Sequence, residues 1–265
     1  MRNWIVLTAA ILTAIPVLVV GQGPPPGQQK GKAANPKQAA PVDLTGYWVP
    51  LITEDWLYRM VTPGKTKGAA NVDSIPVTQA ARAAANSWDP AKDEAAGEQC
   101  KAYGAIGLTR LPGRIHIEWQ DDDTLKLDFE EGTQTRLLHF NGAPPASGDA
   151  GYQGFSLSNW EGGGRGGLAA PGAAKGPATP RNGSLKVVTT HLKPGYLRKN
   201  GVPYGANATL TEYFDRLNEP EGQTLLLIKS IVEDPQFLTQ PFITSTHFKK
   251  EPDGSKWKPG PCVAR

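Results

Sequence analysis

Four histidines are the side chains in this sequence best suited to acid–base chemistry, and each lies in a segment that predicts a β-strand. His116 and His247 share their strand faces with charged residues, which predicts the solvent side. His139 and His191 share their faces with uncharged residues, which predicts that they point inward. Either could act as a general base beside Glu212, or could be an ordinary hydrogen-bonded residue of the sheet. The catalytic candidates are therefore His191, His139 and Glu212.

Two charged residues lie on strand faces that are otherwise apolar. Arg136 shares its face with Leu138, and Glu212 shares its face with Phe214. A charge on an apolar face must be paired, or it must line a cavity. Two interpretations follow: the two residues form a structural ion pair, or they anchor the polar group of a ligand.

The connection from residue 192 to residue 207 is long and contains Tyr196, Arg198 and Tyr204. An Asn-Gly pair within it predicts a tight turn, so we expect a small β excursion there. Ordered loops of this kind often carry function. The alternative is that the tyrosines fix the connection to the sheet.

Several familiar motifs are incomplete in this chain. Gly162, Gly164 and Gly167 have the spacing of a dinucleotide-binding loop, but the prolines that follow exclude the helix that such a site needs. His116 and Glu118 form an H-x-E sequence, yet the second cysteine of a zinc deaminase is missing. No two histidines have the close spacing of a local metal site, so a metal would need ligands from different strands. We predict no cofactor and no metal.

The elements that position these residues are predicted strands. They are rich in β-branched and aromatic residues or alternate in polarity, and turn-forming clusters separate them, at 113–120, 124–130, 133–141, 184–192, 208–216, 224–234 and 241–251. We therefore predict an all-β fold, a single antiparallel barrel or strongly curved sheet. One or two short helices are expected near 54–60 and 76–88.

The N-terminus predicts export. A basic residue, an apolar run and small residues make residues 1–21 a signal peptide; an uncleaved anchor helix is the alternative. Residues 22–42 are rich in Pro, Gly and Lys and are predicted to be a disordered tether. A single β domain then covers 43–262, with a low-complexity insertion at 161–182. The expected location is the periplasm or the extracellular space.

Cys100 and Cys262 are the two cysteines of the chain. In an exported protein an even pair predicts one disulfide. Two idle thiols or one nucleophilic thiolate are the alternatives.

The net charge of +3 comes from 28 basic and 25 acidic residues that are well mixed along the chain. Neither a nucleic-acid surface nor a polybasic membrane patch is indicated. We expect no nucleic-acid partner, no stable membrane insertion after signal cleavage, and a monomer.

The opening Asp43-Leu44-Thr45-Gly46-Tyr47-Trp48 resembles the G-x-W start of lipocalin-like barrels, and Thr211-Glu212-Tyr213 resembles their T-D-Y motif. The resemblance implies a barrel with Trp48 at one end. The chain also resembles a group of exported bacterial proteins that start with D-L-[ST]-G-x-W and end with E-D-P-x-x-x-T-x-P-[FW], matched here from Glu233 to Phe242. That second resemblance implies no particular activity.

Three functional hypotheses follow. The first is that the barrel binds a small, largely apolar molecule, with ligand contacts from Trp48, Trp56, Tyr58, Trp119, Arg136, His191, Tyr196, Arg198, Tyr204 and Glu212. The second is an enzyme on the same barrel, with a histidine as general base and Glu or Arg partners. The third is a module that contacts another envelope protein through the 192–207 loop.

Overall fold

The structure is a computed structural model that describes residues 35–52, 75–144, 151–162, 183–220 and 222–264. They all belong to the compact unit Ala34–Arg265. The predicted signal peptide, the helix expected near 54–60 and nearly all of the low-complexity insertion lie outside the described residues. Trp56 and Tyr58 lie outside them as well.

Nine strands form a closed barrel, which confirms the predicted all-β class. In chain order they are β1 (Gly46–Leu51), β2 (Ile115–Trp119), β3 (Thr124–Phe129), β4 (Gln134–His139), β5 (Phe155–Glu161), β6 (Ser184–Thr190), β9 (Thr209–Asn218), β10 (Thr224–Glu233) and β11 (Phe242–Glu251). The strands β7 (Gly195–Tyr196) and β8 (Pro203–Tyr204) form a separate two-stranded sheet. Because β1 pairs with both β2 and β11, the barrel has no free edge.

One junction of the barrel differs from the antiparallel prediction. Strands β4 and β5 pair in parallel, through Leu138 with Ser156 and His139 with Leu157. Parallel neighbours cannot be joined by a tight hairpin, and the chain must cross from one end of the barrel to the other. Strand β4 ends at His139 and β5 begins at Phe155, and the sequence pattern does not reveal that the two strands run in the same direction.

Short helices surround the barrel. The helix predicted near 76–88 is present, and the side chain of Thr78 caps its N-terminus. Among the described residues the helices are α1 (Pro36–Ala39), α2 (Gln79–Ser87), α3 (Pro90–Ala95) and α4 (Ala105–Leu108), with 3₁₀ turns at Gln99–Tyr103 and Glu131–Thr133. Most are too short to form by themselves, so packing against the barrel must stabilise them.

Residues 35–45 cover one end of the barrel, which we call the turn end because the β2–β3 and β9–β10 turns lie there. The indole of Trp160 donates to the carbonyl of Pro36 at 3.0 Å. The backbone N–H of Lys37 donates to the carbonyl of Asp122 at 3.2 Å. The sequence assigns residues 35–42 to the disordered tether, whereas the structure folds them onto the barrel. The contacts that hold them come from strands and turns far along the chain.

Two hydrophobic clusters form the core. The first fills the barrel from the turn end and reaches the loop end along β2 and β3; it includes Trp48, Ile117, Leu127, Phe129, Phe214 and Phe248. The second lies at the opposite end, called the loop end, where it includes Ile106, Leu197, Tyr204, Leu210 and Phe242.

The C-terminal tail, residues 252–264, returns along the outside of the barrel to the loop end. There Cys262 is bonded to Cys100 with an S–S distance of 2.10 Å, which confirms the predicted disulfide. In the part of the chain that the structure describes, no helix has the length and apolar character needed to cross a membrane.

Candidate functional site

A layer of polar side chains crosses the barrel interior between the two hydrophobic clusters. On β9, Glu212 lies between Leu210 of the second cluster and Phe214 of the first. On β10, Ser230 likewise lies between one residue of each cluster. Period-two alternation points all of these side chains inward. We call the set the polar layer; its members are Arg136, Ser156, Ser158, Thr189, Glu212, Ser230 and Thr246, all buried.

Arg136 and Glu212 form a two-pronged ion pair at the centre of this layer. Nη2 of Arg136 lies 2.7 Å from Oε2 of Glu212, and Nη1 lies 3.3 Å from Oε1. Both side chains are 0% exposed. Nη2 also donates to Oγ1 of Thr189 at 3.3 Å, and Thr189 shares a 2.8 Å hydrogen bond with Ser156. The structure therefore shows the ion pair of the first interpretation, held by a charge-assisted network.

The polar layer nevertheless has unused hydrogen-bonding groups. Nε of Arg136 and Oγ of Ser158 are buried and have no hydrogen-bond partner among the described residues. Buried polar groups in proteins normally have a partner. These two atoms could therefore donate to an acceptor that the chain itself does not supply.

The histidines do not join this layer. His139 lies on the outer face of the barrel, stacked on Phe155 with ring centroids 5.2 Å apart. His191 is exposed, because β6 ends at Thr190 and the backbone turns there to a positive φ of 55°. The prediction that they point inward is wrong for both, and the general base beside Glu212 is not formed. His116 and His247 lie on the outer face, as expected from their charged neighbours.

The two described tryptophans of the candidate ligand set lie toward the turn end. Trp48 is fully buried, and its indole donates to the carbonyl of Leu44 at 2.9 Å. The ammonium of Lys250 lies 5.4 Å from the centroid of its ring. Trp119 stacks on Phe140 with centroids 5.5 Å apart. Both tryptophans are thus packed into or against the first cluster.

The 192–207 connection forms the small β excursion that the sequence predicts, and it covers the loop end. Tyr204 is fully buried, and burial raises the pKa of its hydroxyl. The guanidinium of Arg198 lies 5.6 Å from the ring centroid of Phe242 and is also buried. These contacts favour the interpretation in which aromatic residues fix the connection to the barrel.

Tyr196 attaches the same connection to helix α3. Its hydroxyl donates to Oδ2 of Asp93 at 3.0 Å, and Asp93 also accepts from the indole of Trp88 at 2.8 Å. Burial, followed by this hydrogen bond and the charge of Asp93, raises the pKa of Tyr196 to about 12.

Substituting Asp93 by asparagine should lower the pKa of Tyr196 from about 12 toward its ordinary value of 10.0, because burial remains while the carboxylate is lost. Because the pKa of Tyr196 is higher in the folded protein than in the unfolded chain, its protonated hydroxyl stabilises the fold. This contribution is complete below the unfolded pKa and is lost as the pH rises through the folded pKa. The stability that Tyr196 contributes should therefore be lost between pH 10 and about pH 12. Ultraviolet titration of tyrosinate, assigned with Tyr196→Phe, measures the pKa. Glu94→Gln, on the exposed side of α3, is the control and should leave it unchanged.

One group of side chains on the outer wall has the composition of a metal site. Ligand atoms of His116, Glu118 and Asp128 lie within 4.8 Å of one another. However, Nζ of Lys126 lies 2.6 Å from Glu118 and 3.0 Å from Asp128. The ammonium group already takes the place that a cation would take between the two carboxylates, so the site does not require a metal.

Comparisons with protein-family models, with curated proteins and with solved structures found no match for this chain. The sequence predicts Arg136 and Glu212 as site residues, but it does not predict Ser156, Ser158 and Thr189. Small hydroxyl residues at inward positions of predicted strands were the signal that could have revealed them.

Proposed function

We propose that the barrel binds a small, largely apolar molecule whose polar group reaches the polar layer. The observation that carries the proposal is the pair of unpartnered atoms, Nε of Arg136 and Oγ of Ser158, inside a closed barrel. Apolar clusters lie on both sides of the layer, so a molecule that reaches it has mostly apolar surroundings.

The polar layer also indicates the chemistry of the ligand. Arg136 and Glu212 neutralise each other, so a charged ligand would have no counter-ion there. Nε of arginine is only a donor, and the serine hydroxyl donates or accepts. An uncharged acceptor, such as a carbonyl, ether or hydroxyl oxygen, satisfies both. Large buried side chains crowd the interior, which restricts the ligand to a small one.

We further propose that the protein is exported as a monomer and belongs to the exported bacterial group that its start and end motifs resemble. The bonded cysteine pair supports the export proposal, because disulfides persist mainly in oxidising compartments. The separate resemblance of the G-x-W opening to lipocalin-like barrels supports a carrier role for this barrel.

Native mass spectrometry of two preparations tests the binding proposal. The first is protein purified without denaturation. The second is protein refolded from denaturant, to which decanol is added as a neutral probe. We expect a bound small molecule, or uptake of decanol. Ser158→Ala should weaken binding about threefold to tenfold, the value of one hydrogen bond. The same substitution should leave the ligand-free protein equally or more stable, because it removes an unpaired buried hydroxyl.

Ser184→Ala is the matched control. Its hydroxyl is also buried without a partner, but Ser184 lies at the start of β6 and faces away from the polar layer. It should therefore leave binding unchanged. Absence of any bound mass in both preparations, or equal binding by the Ser158 variant and the parent protein, would contradict the proposal.

A further inference from the structure

A pocket of about 170 Å³ lies on the outer wall of the barrel, beneath the C-terminal tail. The outer faces of β1 to β4 form its floor, and the tail forms one side. Tyr47, His116, Asp128, Thr135, Trp257 and Pro259 are among the residues that line it. We call it the wall pocket. It is separate from the polar layer, which faces the interior of the barrel.

The wall pocket is preformed because the tail is attached on both sides of Pro259. The backbone N–H of Lys258 donates to Oε1 of Glu130 at 2.6 Å, and that of Gly260 donates to the Glu130 carbonyl at 2.8 Å. Cys262 then fixes the tail covalently. A ligand would not have to order this segment, so little of its binding energy would be lost.

Aromatic rings form the apolar part of the wall pocket. Tyr47 and His116 are stacked with centroids 4.1 Å apart, and Trp257 meets Tyr47 at an interplanar angle of 66°. The indole of Trp257 is half-buried, which leaves part of its surface for a ligand. Ring surfaces of this kind bind the C–H faces of small rings.

Asp128 and His116 form the polar part. Asp128 accepts from Oγ1 of Thr135 at 2.6 Å and lies 3.0 Å from Lys126, and a carboxylate has further lone pairs to offer. Nδ1 of His116 is 4.0 Å from Oδ2 of Asp128, too far for a hydrogen bond. A hydroxyl group both donates and accepts, so one hydroxyl can bridge the imidazole and the carboxylate.

The local charges indicate that the ligand is neutral. The ammonium of Lys126 already forms ion pairs with both Asp128 and Glu118 and occupies the position between them. An organic cation or a metal ion would have to displace this ammonium, and an anion would face two carboxylates. The volume is also below the range of drug-sized ligand sites.

We propose that the wall pocket binds a neutral, hydroxylated six-membered ring of the size of one monosaccharide. Its C–H face lies against Trp257, and one of its hydroxyls bridges His116 and Asp128. This site is independent of the ligand proposed for the barrel interior, so either proposal can fail without the other.

Heteronuclear NMR of the isotope-labelled protein, with its disulfide intact, tests this proposal. The probes are methyl β-glucopyranoside and inositol, and Zn²⁺ is added in a separate titration. We expect the glycoside or inositol to shift the signals of the Trp257 indole and of His116, with a dissociation constant on the order of 1 mM. Asp128→Asn and Trp257→Ala should each weaken binding at least about tenfold.

Lys256→Ala is the control, because this exposed tail residue does not line the wall pocket. It should bind the probes as the parent protein does. The proposal is overturned if neither probe shifts these signals, or if both pocket variants keep the parent affinity. A shift with Zn²⁺ alone would also overturn it and would identify a metal site that displaces Lys126.

Discussion

Glu212→Ala should destabilise the protein by about 3–5 kcal/mol, because it leaves the guanidinium of Arg136 charged and unpaired in the barrel interior. Two of the hydrogen bonds of Arg136 are lost, and only the 3.3 Å contact with Thr189 remains for its Nη2. Alanine is also too small to fill the space of the glutamate side chain. Urea unfolding followed by circular dichroism measures the free energy of unfolding.

Two controls separate the charge effect from the loss of packing. The double variant Arg136→Met/Glu212→Leu removes both charges and should recover most of the stability, since apolar residues often replace a buried pair without loss. Glu161→Ala breaks the exposed ion pair with Lys186 and should lower the free energy of unfolding far less than Glu212→Ala does, because solvent screens exposed pairs. If Glu212→Ala costs no more than Glu161→Ala, the pair is not buried in solution as the structure shows it.

The charged pair illustrates what sequence alone can predict. Arg136 and Glu212 lie far apart in the chain, and no local pattern joins them. Each nevertheless stands on an apolar strand face, and physical chemistry requires such a charge to find a partner. Strand alternation and the cost of a buried charge were enough to predict that both residues matter, because each can be judged on one strand at a time; the sequence left an ion pair and a ligand anchor as alternatives, and the structure shows the ion pair.

Features that depend on where strands end were harder to predict. His191 follows the alternating pattern of β6, but the strand ends one residue earlier and the backbone turns it into solvent. His139 shares its face with uncharged residues, and that face proved to be the outside of the barrel. Alternation separates two faces of a strand, but it does not identify the inner one when both are partly apolar.

Contacts made by the chain ends were not predictable for a different reason. Residues 35–42 have the composition of a tether, and residues 252–264 contain few core-forming side chains. Their positions on the barrel come from a few contacts with residues far away in the chain, such as Pro36 with Trp160 and Lys258 with Glu130, and for the tail also from the disulfide. The wall pocket exists only because the tail crosses the strands, so no strand pattern could reveal it.

Removing the disulfide should also have a large effect. The variant Cys100→Ser/Cys262→Ser is expected to be about 5 kcal/mol less stable, because the bond closes a loop across a sequence separation of 162 residues and restricts the unfolded chain. The effect equals a large share of the stability of a typical domain. Urea unfolding of the double variant and of the reduced parent protein should give the same loss.

The same variant tests whether the disulfide or the hydrogen bonds of the tail hold the C-terminus in place. Glu130 accepts from Lys258 and Gly260, and the hydroxyl of Tyr103 accepts from the backbone of Val263 at 3.1 Å. These bonds do not need the disulfide, so Trp257 should keep its fluorescence in the folded double variant. A fluorescence change below the unfolding transition would show that the tail detaches, and a loss under about 1 kcal/mol would contradict the loop-closure argument.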